Sequence, residues 1–262
     1  MSSKILRTKY GILLRPLIVV LIVLAAWELA ARSGLWSPIL FPPLAKIGSA
    51  LWAFVSRPEG FTQSWTTLYR AFGGFAAAAV MGVLLGMLMG RSAFVAALLD
   101  PLFSGTYAVP KLALFPIFIF VFGLGSLSKI ALIFLECLYP MTIITYHGAH
   151  NVNRVLLWSA SNMGASRLRT LLRVVLPATL PYIFAALRVA LPVALIVAII
   201  TEMISSVDGL GYLVTYSLSS LKTDRMLALV VVISLLGLAL DRALVALRNR
   251  LVYWEKLDTY YV

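Results

Sequence analysis

The sequence predicts an all-α, polytopic membrane protein, and three observations support this prediction. First, 61% of the 262 residues are apolar and 12% are charged, whereas a soluble domain has about 45–50% and about 25%. Second, the mean hydropathy of +0.97 is too high for a chain that must cover a water-facing surface with polar groups. Third, apolar stretches of membrane-spanning length recur along the whole chain.

Six apolar stretches are long enough to be membrane spans, because a helix needs about 20 such residues to cross a bilayer. The predicted spans cover residues 17–31, 68–89, 94–121, 129–146, 182–204 and 226–247. The first ends in Trp27-Glu28 rather than in a small-residue cleavage site, so we expect an anchor helix and not a signal peptide. Pro101, Pro110 and Pro116 interrupt the third span, where we expect a broken helix.

The basic residues predict the orientation of the chain. Lys and Arg outnumber Asp and Glu by 22 to 10, for a net charge of +12, and cytoplasmic loops carry the basic excess. One side of the predicted spans has twelve basic residues: Lys4, Arg7, Lys9, Arg15, Arg91, Arg154, Arg167, Arg169, Arg173, Arg248, Arg250 and Lys256. The other side has five: Lys46, Arg57, Lys129, Lys222 and Arg225. We therefore expect one transmembrane domain at 17–250 in a bacterial inner membrane, with both flanking segments, 1–16 and 251–262, cytoplasmic. This topology explains the positive charge without a nucleic-acid partner.

The sequence lacks the motifs of several functional classes. Cys137 is the only cysteine, so no intrachain disulfide can form. His147 and His150 have no Cys, Asp or Glu beside them, so we expect no metal site. There is no Gly-Lys dipeptide and hence no P-loop, and neither Gly-x-Ser-x-Gly nor His-Glu-x-x-His occurs. We expect no enzyme and no cofactor in this chain, so energy from ATP must come from another polypeptide.

A stripe of small residues follows one face of the second predicted span. Its members are Gly74, Ala78, Gly82, Gly86 and Gly90. A small residue at every fourth position lets another helix backbone approach closely. The stripe predicts helix packing, either within the chain or against a second subunit.

The longest stretch without membrane character lies between spans four and five, at residues 150–181. Residues 165–175 form an amphipathic run, in which Arg167, Arg169 and Arg173 are interspersed with leucines. Gly164 tolerates the backbone angles of a sharp turn, and Pro177 marks the start of the next helix. We predict two short helices hinged at Gly164, which could lie on the membrane or dock in the groove of a partner.

This segment resembles the cytoplasmic coupling motif of ABC importer permeases. The family pattern reads Glu-Ala-Ala, three residues, Gly, nine residues, Ile, one residue and Leu-Pro. The docking residues that the resemblance implies are Ala160, Gly164, Ala165, Val174, Leu176 and Pro177. Trp158 and Ser159 stand where the family has Glu and Ala, so the salt bridge from that Glu to the ATPase partner has no counterpart here.

Other motifs extend the resemblance over nearly the whole chain, to the nitrate, sulfonate and taurine type of permease. They are Phe41-Pro42-Pro43, 67–90, Val109-Pro110, 122–125, 128–130, 202–204, 209–212 and Thr223-Asp224. Each is weak alone, but their order and spacing together are specific. The resemblance implies a permease that dimerises around a pathway for a small solute, mostly an anion such as nitrate, a sulfonate or an organic acid. It also implies cytoplasmic ATPase subunits that bind ATP and Mg and dock on residues 150–181, and an extracytoplasmic binding protein that delivers the solute.

Three ionisable residues inside the predicted spans, Lys111, Glu136 and Glu202, are candidates for the translocation pathway. A charge inside a span costs roughly 2.5–3.5 kcal/mol to insert, so each needs a partner, water or a function. Lys111 lies in the broken third span and Glu136 in the middle of the fourth, and a pair between them is one expectation. Either that pair joins two helices, or Lys111 attracts an anionic substrate. For Glu202 the resemblance implies a gate or helix-end role, and the simpler expectation is a solvated helix terminus.

A self-sufficient channel or secondary transporter is the alternative function. Secondary carriers commonly show inverted repeats with paired broken helices, and only the third predicted span is visibly broken here. A membrane scaffold without transport activity is a third alternative.

Overall fold

A computed structural model of the chain describes residues 18–106 and 108–254. All regular secondary structure in these ranges is helical, which confirms the all-α class. In chain order the helices are α1 (18–32), α2 (Leu44–Val55), α3 (Pro58–Arg91), α4 (Ala93–Thr106), α5 (Phe115–Phe122), α6 (Ser126–His150), α7 (Arg154–Asn162), α8 (Arg167–Thr170), α9 (Leu176–Ser205), α10 (Leu210–Ser219) and α11 (Thr223–Leu251). The predicted segment 1–16, and residues 255–262 of the predicted tail, lie outside the described residues.

Four helices in the described ranges are long and apolar enough to cross a membrane. They are α3, α6, the continuous helix Arg167–Ser205 that contains α9, and α11. A fifth span would be formed by α4 together with the segment Lys111–Phe122, which is bent by 87° from it. These elements correspond to predicted spans two to six. The predicted first span begins outside the described residues and continues as α1, so the count of six stays a prediction.

The third predicted span breaks at only one of its three prolines. Pro101 is accommodated inside α4, and Pro116 lies in the first turn of α5, where its missing N–H would have no helical partner anyway. Pro110 precedes a short 3₁₀ turn, Lys111–Leu114, that leads into α5. The break therefore places Lys111 at a helix junction.

The small-residue stripe of α3 packs inside the chain, against α6. A Cβ added at Gly82 would lie 2.5 Å from the Cβ of Met141, and one at Gly90 would lie 2.5 Å from the Cβ of Ala149. Of the two expectations for the stripe, contact within the chain is the one that the structure shows.

A second small-residue stripe, which sequence analysis did not predict, lies on α9. Its members are Ala186, Ala190, Ala194 and Ala198, all with no exposed surface. The Sγ of Cys137 on α6 lies 3.5 Å from the carbonyl oxygen of Ala190 and donates to it. The α6 helix is thus packed closely by small residues of both α3 and α9, and the apolar core lies around it.

The fifth span begins earlier than predicted: Pro177 lies in the first turn of α9, as expected, but α9 is continuous with α8. A π turn, Leu171–Val175, joins α8 to α9 without a break. Pro177 has no N–H to donate to the carbonyl of Arg173, and its ring clashes with that carbonyl in a regular α-helix. The wider π turn relieves this clash. Residues 167–181 are consequently continuous with the span that follows them, whereas α7 is separated from it by the turn at Gly164.

Two compact units divide the chain. One comprises residues 18–61 and 213–233, and the other comprises residues 62–212 and 234–254. All of the candidate site residues belong to the second unit. In the first unit, the Trp27 ring stacks on Phe41 at 4.3 Å between centroids. The Glu28 carboxylate accepts a hydrogen bond of 2.9 Å from the Leu44 N–H, which satisfies a donor at the start of α2.

Candidate functional site

A buried charged cluster joins α3, α9 and the loop that follows α9. Arg70 Nη1 lies 2.9 Å from Glu202 Oε1, and Arg70 Nη2 lies 2.6 Å from Asp208 Oδ1. The side chains of Arg70 and Glu202 are 4% and 0% exposed. A buried ion pair is tolerated only when its remaining hydrogen-bonding groups are also satisfied.

The second oxygen of Glu202 meets that requirement. Oε2 accepts hydrogen bonds from Thr67 Oγ1 at 2.8 Å and from the Gly211 N–H at 3.0 Å. Thr67 Oγ1 in turn accepts from the Leu210 N–H at 2.8 Å. Glu202 is therefore bonded to α3 and to the start of α10. The expectation of a solvated helix terminus is wrong, because the carboxylate is fully buried.

Lys129 extends the cluster to α6. It has no exposed surface, and its Nζ donates to the carbonyl oxygens of Leu124 at 2.9 Å, Gly125 at 3.2 Å and Ser205 at 3.1 Å. The last carbonyls of a helix have no intrahelical donors, and Lys129 supplies one to the end of α9. With Arg70 it brings two positive charges beside the two carboxylates, so the cluster is electrically balanced.

Asp208 lies outside the spanning helices, in the loop between α9 and α10. Burial raises the pKa of its carboxyl, but hydrogen bonds from Arg70 and Ser206 and the charges of Arg70 and Lys129 outweigh burial. The net result is a pKa below the usual range for Asp. Asp208 is therefore anionic at neutral pH and balances part of the Arg70 charge.

Sequence analysis missed Arg70, although it makes the most charged contacts in this cluster. An Arg in a helix as apolar as α3 carries a large insertion cost, and that cost was the available signal. Its acidic partners, Glu202 and Asp208, lie more than 130 positions away in the sequence, so local spacing does not reveal them.

Lys111 lies over the ring of Tyr139, and its expected pair with Glu136 stays a prediction. Lys111 is 8% exposed, and its Nζ lies 3.9 Å from the centroid of the Tyr139 ring, a distance at which the face of the ring attracts a cation. The Tyr139 hydroxyl shares a hydrogen bond with Thr106. Glu136 is half-buried on α6, one helical turn before Tyr139.

The predicted coupling segment contains two short helices on either side of Gly164. The Asn153 side chain accepts from the Val155 N–H and caps α7, and the Ser166 hydroxyl accepts from the Arg169 N–H and caps α8. Gly164 has a φ of +71°, which residues with a side chain adopt only at a cost. Its N–H donates to the Ser161 carbonyl at 2.9 Å.

The turn after α7 is a Schellman motif, which also uses two other predicted docking residues. The Ala165 N–H donates to the Ala160 carbonyl at 3.0 Å, the long bond that accompanies a left-handed glycine at a helix end. Ala160 is 3% exposed. The spacing between Ala160, Gly164 and Ala165 thus has a local backbone function, independent of any partner.

Of the remaining predicted docking residues, Leu176 helps to anchor the segment to the spans, next to the buried Val175. Val175 is buried with Met87 of α3 and Ala149 of α6, and Leu176 packs against the same cluster. Val174 and Pro177 are half-buried in the turns on either side. The outer face of α7, by contrast, is exposed at Val155 and Trp158, and Met163, the residue after α7, is exposed as well.

The comparison with known families bears on what this arrangement does. Residues 78–253 match the model of a family described as the binding-protein-dependent transport system inner membrane component. The chain belongs to this family. The matched region includes Lys111, Glu136, Glu202 and the whole coupling segment.

Individual relatives of this permease are similar over most of their length. The taurine transport system permease protein of Escherichia coli K12 is 34% identical over 240 residues, which cover 89% of this chain and 87% of the relative. The formylaminopyrimidine transport permease protein of Halalkalibacterium halodurans is 32% identical, over 93% of this chain and 96% of the relative. Among solved structures, the inward-facing MetNI methionine ABC transporter matches with a TM-score of 0.53 at 18% identity, covering 69% of this permease and 93% of that chain. At this identity the match shows the fold alone.

The protein is therefore a membrane-embedded permease of an ABC importer. Its relatives are transport permeases and not enzymes. Family membership decides against a self-sufficient channel or secondary transporter, because the family model describes a component of a binding-protein-dependent system.

Proposed function

We propose that two copies of this permease form the translocation pathway for a small organic sulfonate, and that residues 150–181 couple the pathway to a cytoplasmic ATPase. The observation that carries this proposal is the exposed outer face of α7. Val155, Trp158 and Met163 are 59%, 62% and 80% exposed on a segment that is itself anchored to α3 and α6 through Val175. Clustered apolar side chains on a firmly held helix are typical of a docking surface.

Trp158 changes the chemistry expected of that docking surface. It stands at the motif position where the family has Glu, and it is exposed. An indole binds by burial of apolar area and not by charge. The ATPase groove that receives this permease should therefore be an apolar pocket at the corresponding place.

The proposed topology has six spans, with both termini and residues 150–181 on the cytoplasmic side of a bacterial inner membrane. The distribution of twelve basic residues against five supports this orientation. Residues 17–250 would then form the transmembrane domain, with residues 1–16 and 251–262 as cytoplasmic ends.

The substrate class follows from the relatives and from Lys111. Relatives named for taurine and for aliphatic sulfonates are 34% and 30% identical to this chain. Lys111 offers a cation beside Tyr139, at the bend between α4 and α5, where freed backbone groups are tolerated if they line a cavity. Lys111 would attract the sulfonate, and Glu136 lies nearby on the same helix as Tyr139.

Glu202 would act at the outer helix ends, by holding them together. A separate binding protein would deliver the solute there.

Transport would proceed as a two-state rigid-body change driven by nucleotide. ATP and Mg bound by the partner ATPase would close the ATPase pair and bring the two docked segments together. The pathway would open outward in that state, and hydrolysis would reset it.

A pair of glycine variants tests the coupling proposal. Gly164 and Gly34 both have positive φ, +71° and +73°, and open space where a Cβ would stand, so valine strains the backbone similarly at each. The full importer with its ATPase and binding protein is reconstituted in liposomes, and taurine uptake and ATP hydrolysis are measured. We expect Gly164→Val to insert normally but to uncouple hydrolysis from uptake, and Gly34→Val to remain coupled.

Two outcomes would contradict the proposal. Coupled uptake at the normal rate in Gly164→Val would show that the segment does not transmit the ATPase movement. Uptake of formylaminopyrimidine but of neither taurine nor an alkanesulfonate would overturn the substrate class while leaving the coupling proposal intact.

A further inference from the structure

A cavity of about 600 Å³ lies between the end of α3 and the coupling segment. Arg91 and Arg167 line it from two different elements, and Ser161 and Thr170 add hydroxyl groups. The apolar part of the wall includes Leu171 and Val175. The proposed transport function assigns no ligand to this cavity.

The cavity lies at the level where two spans end. Arg91 is the last residue of α3. The residue before it, Gly90, packs so closely on α6 that an added Cβ would lie 2.9 Å from the His150 N atom, and His150 is the last residue of α6. A helix of 34 residues is about 50 Å long, so α3 extends beyond a hydrocarbon core of about 30 Å. The end of α3 and the cavity beside it therefore lie at the headgroup level or beyond it, on the side of residues 150–181.

The charge of the cavity is positive, and no acidic side chain of the described residues offsets it. No acidic side chain lines it, and the sequence contains no Asp or Glu between Glu136 and Glu202. Within the part of the chain that the structure describes, neither Arg91 nor Arg167 forms a salt bridge. Guanidinium groups bind phosphate through paired N–H donors, so these two arginines lack the anion that suits them.

We propose that this cavity binds an anionic phospholipid, with the phosphate held by Arg91 and Arg167. The hydroxyls of Ser161 and Thr170 donate to the headgroup, and the acyl chains leave over Leu168 and Leu171, which also line the cavity. The volume fits this ligand class: a water occupies roughly 30 Å³ of liquid, so the cavity has room for far more than a free phosphate. Basic pockets at the cytoplasmic ends of spanning helices are suited to such lipids.

A lipid suits the cavity better than a segment of the ATPase does. The cavity is bounded by Leu157 and Ser161, one helical turn apart on α7, and by Ala165, but not by Trp158. A lipid in the cavity therefore leaves the exposed Trp158 side chain available to the ATPase. A bound lipid would brace the coupling segment against α3, so coupling would depend on anionic lipid in the membrane.

Native mass spectrometry of the full chain in detergent tests this proposal with four probes. They are phosphatidylglycerol, phosphatidylcholine, glycerol 3-phosphate and inorganic phosphate. We expect wild type to retain one phosphatidylglycerol in preference to phosphatidylcholine. The variant Arg91→Gln/Arg167→Gln should lose roughly tenfold or more of this affinity, since each basic residue near the membrane surface contributes about 1 kcal/mol. Arg169→Gln is the matched control, because Arg169 lies on the same short helix but does not line the cavity.

Each other result has a definite meaning. Equal retention of the two lipids, or an unchanged affinity in the double variant, overturns the proposal. Binding of glycerol 3-phosphate or inorganic phosphate as tight as that of the lipid would make this a small-anion site and not a lipid site. None of these measurements requires transport, so they stand apart from the test of coupling.

Discussion

The Arg70 guanidinium and the Glu202 carboxylate form a 2.9 Å ion pair between α3 and α9, with both side chains almost completely buried. Removing one member of such a pair leaves a buried charge without its partner, which typically costs about 3–5 kcal/mol. We expect Arg70→Met to lower the free energy of unfolding in detergent by about that amount, as measured by titration with a denaturing detergent. The double variant Arg70→Met/Glu202→Leu should lose less than the sum of the single variants, because neither charge then remains.

An exposed pair in the same unit supplies the control. Arg188 and Asp241 are also joined at 3.0 Å, but their side chains are 54% and 31% exposed. Solvated pairs contribute about 0–1 kcal/mol, so Arg188→Met should change the unfolding free energy only slightly. Equal losses in Arg70→Met and Arg188→Met would contradict the structural role given to the buried cluster.

Asp208 predicts a pH dependence of stability. Its pKa is below the usual value in the folded protein, and the unfolded chain has the ordinary value of about 3.9. The unfolded state therefore takes up a proton first, and the stabilisation by Asp208 is complete above about pH 4 and decreases as the pH falls below it. The difference in unfolding free energy between wild type and Asp208→Asn should be constant near neutral pH and shrink in acid. A difference that grows as the pH falls would have the wrong sign.

The glycine stripe of α3 predicts opposite effects of one substitution at two helical positions. Alanine favours a helix over glycine by roughly 0.5–1 kcal/mol. Gly48 in α2 has open space around it, so Gly48→Ala should stabilise the protein slightly. At Gly82 the added methyl would lie 2.5 Å from the Met141 Cβ, so Gly82→Ala should destabilise it. Thermal unfolding in detergent measures both, and stabilisation by Gly82→Ala would show that α3 and α6 are farther apart.

Lys111 predicts a loss of transport that is separable from stability. We expect Lys111→Met to reduce taurine uptake at least tenfold in the reconstituted importer and Lys111→Arg to retain part of the activity, because a cation near Tyr139 remains. The melting temperature of each variant is measured alongside. Unchanged uptake in Lys111→Met, with only a lower melting temperature, would remove Lys111 from the pathway.

The sequence predicts what depends on neighbouring residues and fails where distant residues meet. The turn at Gly164 is local, since its hydrogen bonds return to Ala160 and Ser161, and a glycine at that spacing suffices to predict it. The contact of Arg70 with Glu202 joins residues 132 positions apart, and only packing brings them together. Lys111 shows the same limit. The sequence identifies it as a charge inside a predicted span, but it does not predict the contact with Tyr139. The start of the fifth span is predicted too late in the chain, because a π turn continues the helix from α8 into α9.

The continuous helix from Arg167 to Ser205 ends in α8 of the coupling segment on one side and in the Glu202 cluster on the other. Its 39 residues correspond to about 58 Å at 1.5 Å per residue. A tilt of about 10° around its centre would move each end by about 5 Å in opposite directions, by the geometry of a rod of that length. A movement of α8 can thus change the packing around Glu202 through a single lever, with no chain of side-chain rearrangements in between.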